Sequence, residues 1–318
     1  MFSEFFSLLG FAFGVTGPIF LLVFLGIVLK KIRIIDDTFT NNASKLVFMV
    51  AMPTMLFMSM INTDIRSLID PGYLIYALVG TLAVFILISL VTPLIVKERR
   101  DQGVFIQGVF RSNLAIVGLA FCFNAYGDIG LAKASVLMSV MTILYNILSV
   151  YTLTTCLSDS KVKIAEVLLS IAKNPLILAL IAGIIFSLLA IPLPKVLHTS
   201  GEYIARMTLP LALICIGGAM SLGELKNSSS VSTTAVFAKL IVTPILIMYP
   251  AYLLGFEPID LGVLFLMVSA PTAAASYIMV QAMGGNGRLA ANIVVISTLA
   301  SLITVSFGLA FLKQFGVV

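Results

Sequence analysis

The sequence predicts an all-α membrane protein in which ten transmembrane helices form two inverted five-helix repeats, with helices four and nine polar or broken at matching depth. Three observations predict it. Apolar runs long enough to span a bilayer recur along the whole chain, basic residues alternate between successive connectors, and proline-centred segments return in the same order in the second half.

Composition sets the class. Of 318 residues, 60% are hydrophobic and 10% charged, and the mean hydropathy is +1.14. A soluble domain carries about 25% charged residues, so no large soluble domain fits. The formal charge of +5 resides mostly in short connectors, a pattern of membrane topology rather than of nucleic-acid binding.

A helix crosses the hydrocarbon core with about 20 mainly apolar residues. Ten such spans are read at 10–29, 44–62, 72–96, 103–126, 132–157, 169–190, 199–222, 231–254, 258–283 and 289–312. Connectors on one side hold twelve basic residues, among them Lys30, Lys31, Arg33, Lys97, Arg99, Arg100 and Arg288. The other side holds four, Arg66, Lys133, Lys195 and Lys313. The positive-inside rule then places the odd-numbered loops in the cytoplasm and both termini outside. The leading segment "MFSEFFSLLGFAFG" lacks a basic start and a cleavage site and reads as mature sequence.

Several motifs carry no chemistry. Cys122, Cys156 and Cys215 fall in or at the edge of apolar helices, where cysteine acts as a small hydrophobe. The sole histidine, His198, sits in an outer loop and cannot supply paired zinc ligands. "GGNGR" at 284–288 lacks the lysine and hydroxyl of a phosphate loop and reads as a turn. "NAS" at 42–44 and "NSS" at 227–229 fall on the cytoplasmic side and are set aside as glycosylation sites. No His, Cys or acidic cluster assembles a nucleophile or metal site, so no enzyme, metal or cofactor is expected.

Repetition is more informative. Pro18 and Gly26 in the first span match Pro175 and Gly183 in the sixth at an offset of 157, and Pro53 matches Pro210 at the same offset. "LVTPLIV" around Pro93 is matched by "IVTPILI" around Pro244. The expected division is a first repeat at 1–157, a cytoplasmic linker at 158–168 and a second repeat at 169–318. Five helices per repeat is odd, so the halves enter the membrane with opposite orientation, the arrangement of many secondary transporters.

The fourth span then pairs with the ninth. The ninth centres on "MVSAPTAAAS", where Pro271 breaks the helical ladder while Ser269 and Thr272 can satisfy the freed groups. The fourth contains "FRSNLAIVG", placing Arg111, Ser112 and Asn113 inside an apolar run. Arginine at the bilayer centre costs roughly 2.5–3.5 kcal/mol on translocon scales, so it normally faces a wet cavity or a partner. No Asp or Glu lies well inside any span, and a bound carboxylate fits the guanidinium fork. Three roles suit Arg111: substrate contact, structural anchoring and gating. The Asn113 amide can both donate to a carboxylate and accept from a freed backbone amide. Asn146 and Asn292, in the fifth helix of each half, either line the cavity or join helices. Arg206 and Lys239 lie within two turns of span ends and are expected to snorkel to water. The methionines of the second span read as adaptable packing.

"FRSNLAIVGL", "NPLILALIAG", "LPLALICIGGAMSL" and "SAPTAAASYIM" resemble the signature segments of the auxin efflux carrier family, in its bacterial branch of organic-anion permeases. The resemblance implies a ten-helix inverted repeat with scaffold and mobile parts, a substrate site at the crossing of helices four and nine involving Asn113 and Pro271, and a homodimer. It also implies a multi-pass protein of the bacterial inner (cytoplasmic) membrane, in contact with lipid and not with nucleic acid. Ser112 stands where family members often have proline before the asparagine. Carriers of malate and malonate in this branch imply a small mono- or dicarboxylate as substrate. Importing each net negative charge costs roughly 2.3 kcal/mol per 100 mV, so import of a dianion requires protons, sodium or exchange for another anion. Two other classes share features: a cation/proton antiporter, which needs midplane aspartates, and an anion sensor that moves nothing.

Overall fold

The computed structural model describes residues 2–62, 70–157, 175–219 and 230–318. The expected linker at 158–168, the start of the sixth span, "NSS" at 227–229 and the basic residues Arg66, Lys161, Lys163, Lys173 and Lys226 lie outside the described residues. Among the described residues the fold is all-helical. The helices are α1 (Phe2–Lys31), α2 (Asp37–Leu46), α3 (Met52–Ile61), α4 (Pro71–Ile95), α5 (Arg99–Phe110), α6 (Leu119–Leu157) and α7 (Pro175–Leu188). They continue as α8 (Lys195–Ala219), α9 (Ser230–Phe237), α10 (Thr243–Leu253), α11 (Pro258–Ser269), α12 (Ala274–Ala282) and α13 (Gly287–Gln314). Among the described residues, seven helical stretches are long and apolar enough to cross a membrane. Leu21, Leu90 and Leu94 are each about 70% exposed or more, an outer surface suited to lipid rather than water.

Local sequence explains where the helices start and bend. The Asp70 carboxylate accepts from the Gly72 and Tyr73 amides with Pro71 at the first helical position, and the Asn286 amide oxygen accepts from the Leu289 amide. α2 and α3 run on through a π-turn at Val47–Ala51, and α9 and α10 through one at Ala238–Val242. Each π-turn ends just before a proline, Pro53 or Pro244. Proline has no amide to donate, so the ladder slips to i→i−5 there: Met52 donates to the Val47 carbonyl and Thr243 to that of Ala238. The expected fourth and fifth spans meet within α6 at Gly127, whose φ of 61° is non-helical and open to glycine at little strain. The first helix begins at Phe2 rather than near residue 10.

Close packing depends on small residues in matched places. A Cβ on Gly26 of α1 would lie 2.2 Å from the Ile214 carbonyl oxygen on α8. A Cβ on Gly183 of α7 would lie 2.8 Å from the Met60 Cβ and 3.1 Å from the Phe57 carbonyl oxygen on α3. Gly26 and Gly183 are 157 residues apart, and so are Phe57 and Ile214. The same glycine contact is therefore built twice, with the two halves exchanging partners.

Polar ties join the turns at each end. Arg100 donates to the Gly284 carbonyl and Asn286 to the Asp101 carboxylate. At the start of α11, Asp260 forms a 2.6 Å ion pair with Lys133 of α6, and its carbonyl accepts from the Tyr73 hydroxyl of α4. The start of α5, the start of α11 and the turn after α12 are thus each tied to other elements.

Candidate functional site

Two helix breaks meet in the core. α5 stops at Phe110 and the helix resumes in a π-turn at Leu114–Gly118; α11 stops at Ser269 and α12 begins at Ala274. Between them, Ser112 and Thr272 form an antiparallel bridge. The Asn113 amide donates to the Pro271 carbonyl at 2.7 Å and the Ala273 amide to the Arg111 carbonyl at 3.1 Å. In a lipid-embedded core every backbone polar group requires a protein partner. Here each break supplies partners for the other.

The side chains complete this exchange. Thr272 Oγ1 donates to the Gly108 carbonyl at 2.7 Å, and Ser112 Oγ donates to the Val268 carbonyl at 3.2 Å. Each hydroxyl thus reaches the carbonyl four residues upstream of the other. The Thr272 amide donates to Ser297 Oγ on α13 at 3.1 Å. Pro271 interrupts α11 directly. Ser112 holds a full break without proline, because the opposite strand accepts and donates the hydrogen bonds that the helix gives up.

Arg111 is 7% exposed. Its Nη1 donates to Ser149 Oγ at 2.8 Å and to Met279 Sδ at 2.9 Å, and its Nη2 to Asn146 Oδ1 at 2.9 Å. All three acceptors are neutral, and three of the five guanidinium donors are used. Asn146 therefore joins helices through Arg111. Gln107, one turn before Arg111, points its amide at the same Met279 sulfur, while its Oε1 is buried with no hydrogen-bond partner among the described residues.

Lys239 corrects the sequence reading. It does not snorkel: it is 0% exposed, and its ammonium donates to Ser112 Oγ and, at 3.1 Å, to the Val268 carbonyl. Its signal was present, since it is the sole charged residue between Lys226 and Glu257, but distance from a span end says nothing about which face of a helix is buried. Arg206 does reach the surface, where its Nε lies 3.9 Å from Glu202. Ser149, Gln107 and Met279 are likewise absent from the sequence reading; a hydroxyl, amide or thioether in an apolar run gives little pattern to find.

The remaining expected residues are placed as follows. The Asn113 side chain is 8% exposed and makes no hydrogen bond among the described residues. Ser269 is buried, and its hydroxyl has no partner among them. Asn292 is buried on α13. Among the described residues neither Arg111 nor Lys239 pairs with a carboxylate. A cavity of about 500 Å³ opens between α1, α3, α6 and α8, with mostly apolar walls that include Ile19, Ala120 and Leu213 and with Asn62 and Glu202 among its polar residues. Ala120 lies seven residues beyond Asn113 on the same broken helix.

A family model described as "Membrane transport protein" matches residues 12–309. The chain belongs to the auxin efflux carrier family. Within this transporter family, the chain is 26% identical over 313 residues to a Rhizobium meliloti protein named "Putative malonate transporter", a match covering 95% of this chain and 96% of that one. It is 21% identical over 288 residues to an "Uncharacterized transporter" of Methanothermobacter thermautotrophicus, covering 90% of this chain and 93% of the relative. The chain is thus a multi-pass membrane transporter of the auxin efflux carrier family.

Proposed function

We propose that the protein is a secondary carrier that moves a small organic anion, a mono- or dicarboxylate of the malonate or malate type, by alternating access at the crossing of the two broken helices. One observation carries this reading. Two buried cations, Arg111 and Lys239, meet the crossing with only neutral partners among the described residues. Buried charges are ordinarily paired, and a carboxylate that enters beside the crossing would complete the charge balance. The Asn113 amide, which makes no side-chain hydrogen bond among the described residues, is a suitable second contact. The name of the Rhizobium meliloti relative supports malonate as the first solute to try.

The same reading makes the chain two inverted repeats, 1–157 and 169–318, in a homodimer of the bacterial inner membrane with both termini outside. The exchanged glycine contacts at an offset of 157 and the reciprocal bonds of Ser112 and Thr272 support an internal two-fold. Antiport of cations through midplane aspartates lacks support: Asp260, the buried acid of the broken helices, is held by Lys133 at the start of α11.

Counterflow tests the proposal. Proteoliposomes preloaded with unlabelled malonate are expected to accumulate labelled malonate transiently against its gradient. Saturable malonate binding without any flux would make the protein a sensor instead.

A further inference from the structure

Lys239 sits on the π-turn that Pro244 imposes, and its ammonium is lodged against the end of a broken helix. The Val268 carbonyl it reaches belongs to the last turn of α11, the partially negative end of that half-helix. Beside it stands Ser112 Oγ, an acceptor for the same ammonium; in sequence Ser269 follows Val268 and Thr243 follows Lys239 by four residues, and both carry buried hydroxyls with no hydrogen-bond partner among the described residues. Carbonyls at the C-terminal end of a half-helix are ligands with which broken-helix carriers hold a coupling cation, and a hydroxyl oxygen can join them. They are hard, neutral oxygen ligands of the kind that suits an alkali cation. In this chain a tethered ammonium already stands among them, with two of its three N–H groups engaged.

We infer that Lys239 is a resident cation at the crossing: it fills the place of a coupling metal cation, so that anion binding and exchange require no sodium. The inference rests on the transport reading for its consequence, but the occupancy of the place is testable apart from transport. The Lys239 ammonium meets Ser112 and Val268 while the Arg111 guanidinium turns to Ser149, Met279 and Asn146, so two side chains on different helices bring positive charge to the crossing. Such a carrier would cycle its anion by exchange or with protons rather than with sodium.

Thermal unfolding of the detergent-purified protein, in sodium chloride against choline chloride at equal ionic strength, tests occupancy. The wild type is expected to unfold at the same midpoint in both salts. Lys239→Ala empties an oxygen-lined space, and its midpoint is expected to rise with sodium or methylammonium, since a ligand that binds the native state alone stabilises it by mass action. Wild-type protein stabilised by sodium over choline would overturn the inference, as would a folded Lys239→Ala protein indifferent to both cations. Lys239→Gln, which keeps donors but not charge, gives a second readout: anion exchange is expected to fall at least about tenfold, equivalent to about 1.4 kcal/mol, and wild-type exchange by this variant would overturn the inference whatever the alanine variant does. Failure of the wild type to exchange any anion would count against the transport reading, while the unfolding midpoints would still report on Lys239.

Discussion

Ser112 and Thr272 cap each other's helices: each hydroxyl donates to the backbone carbonyl four residues before the other, across an antiparallel bridge that joins the same two residues. A break in a helix leaves carbonyls without amide partners, and in a core without water those groups must be satisfied by other protein groups. Thr272→Val keeps the shape of the side chain and removes the donor to Gly108. An unsatisfied buried acceptor costs about 1–3 kcal/mol. The midpoint of thermal unfolding in detergent is expected to fall accordingly, and Thr272→Ser is expected to restore most of it.

Substitution of Asn113 is expected to separate function from stability. Its backbone amide holds Pro271, but its side chain makes no hydrogen bond among the described residues. Asn113→Ala is therefore expected to change stability by less than about 1 kcal/mol, within the range of substitutions that break no buried interaction. Anion exchange is expected to fall at least tenfold, about 1.4 kcal/mol. Parallel unfolding and proteoliposome measurements on one preparation check both.

The exchanged glycines give an asymmetric pair. Gly26→Ala drives a methyl to 2.2 Å from a backbone oxygen, while Gly183→Ala meets a side-chain carbon at 2.8 Å and a carbonyl at 3.1 Å. Overpacking costs typically about 1–3 kcal/mol. Both variants are expected to be destabilised, Gly26→Ala the more, because 2.2 Å to a backbone oxygen is a deeper overlap than 2.8 Å to the Met60 Cβ, and neither atom can move without its backbone. Yield of monodisperse protein and unfolding midpoint give the order.

Lys133 and Asp260 are 12% and 7% exposed as side chains and 2.6 Å apart. Removing one partner of a buried pair strands the other charge and costs about 3–5 kcal/mol. Asp260→Asn is expected to lower stability by roughly 3 kcal/mol, near the lower end because Lys133 retains some access to water. Adding Lys133→Met is expected to recover most of that loss in a double-mutant cycle.

The helical class and the transporter family were legible because both rest on long, repeated patterns: apolar runs, and segments such as "FRSNLAIVGL" and "SAPTAAASYIM" in order. Pro271 announced its break because it withholds a backbone donor in the middle of a span and is flanked by the hydroxyls of Ser269 and Thr272, although Pro18, Pro93, Pro210 and Pro250 sit inside continuous helices. The break at Ser112 was visible only as polar residues in an apolar run, because what opens it is the opposite helix. Lys239 was misplaced for a related reason. Counting turns from a span end assigns depth, but the π-turn before Pro244 and the packing of α9 and α10 decide that its ammonium meets Ser112. The partners of Arg111 were half legible: Asn146 stood out as a polar residue, whereas Met279 and Ser149 look like any other helix filling.

The most direct test of the account is exchange of labelled malonate into malonate-loaded proteoliposomes, comparing the wild type with Arg111→Gln at equal amounts of folded protein. Gln can still donate to Asn146 or Ser149, so the substitution removes chiefly the charge. Wild-type exchange that falls at least tenfold in the variant, about 1.4 kcal/mol or more, is the expected result. Exchange by Arg111→Gln within about twofold of wild type, or about 0.4 kcal/mol, would contradict an anion site completed by the buried cations at the crossing.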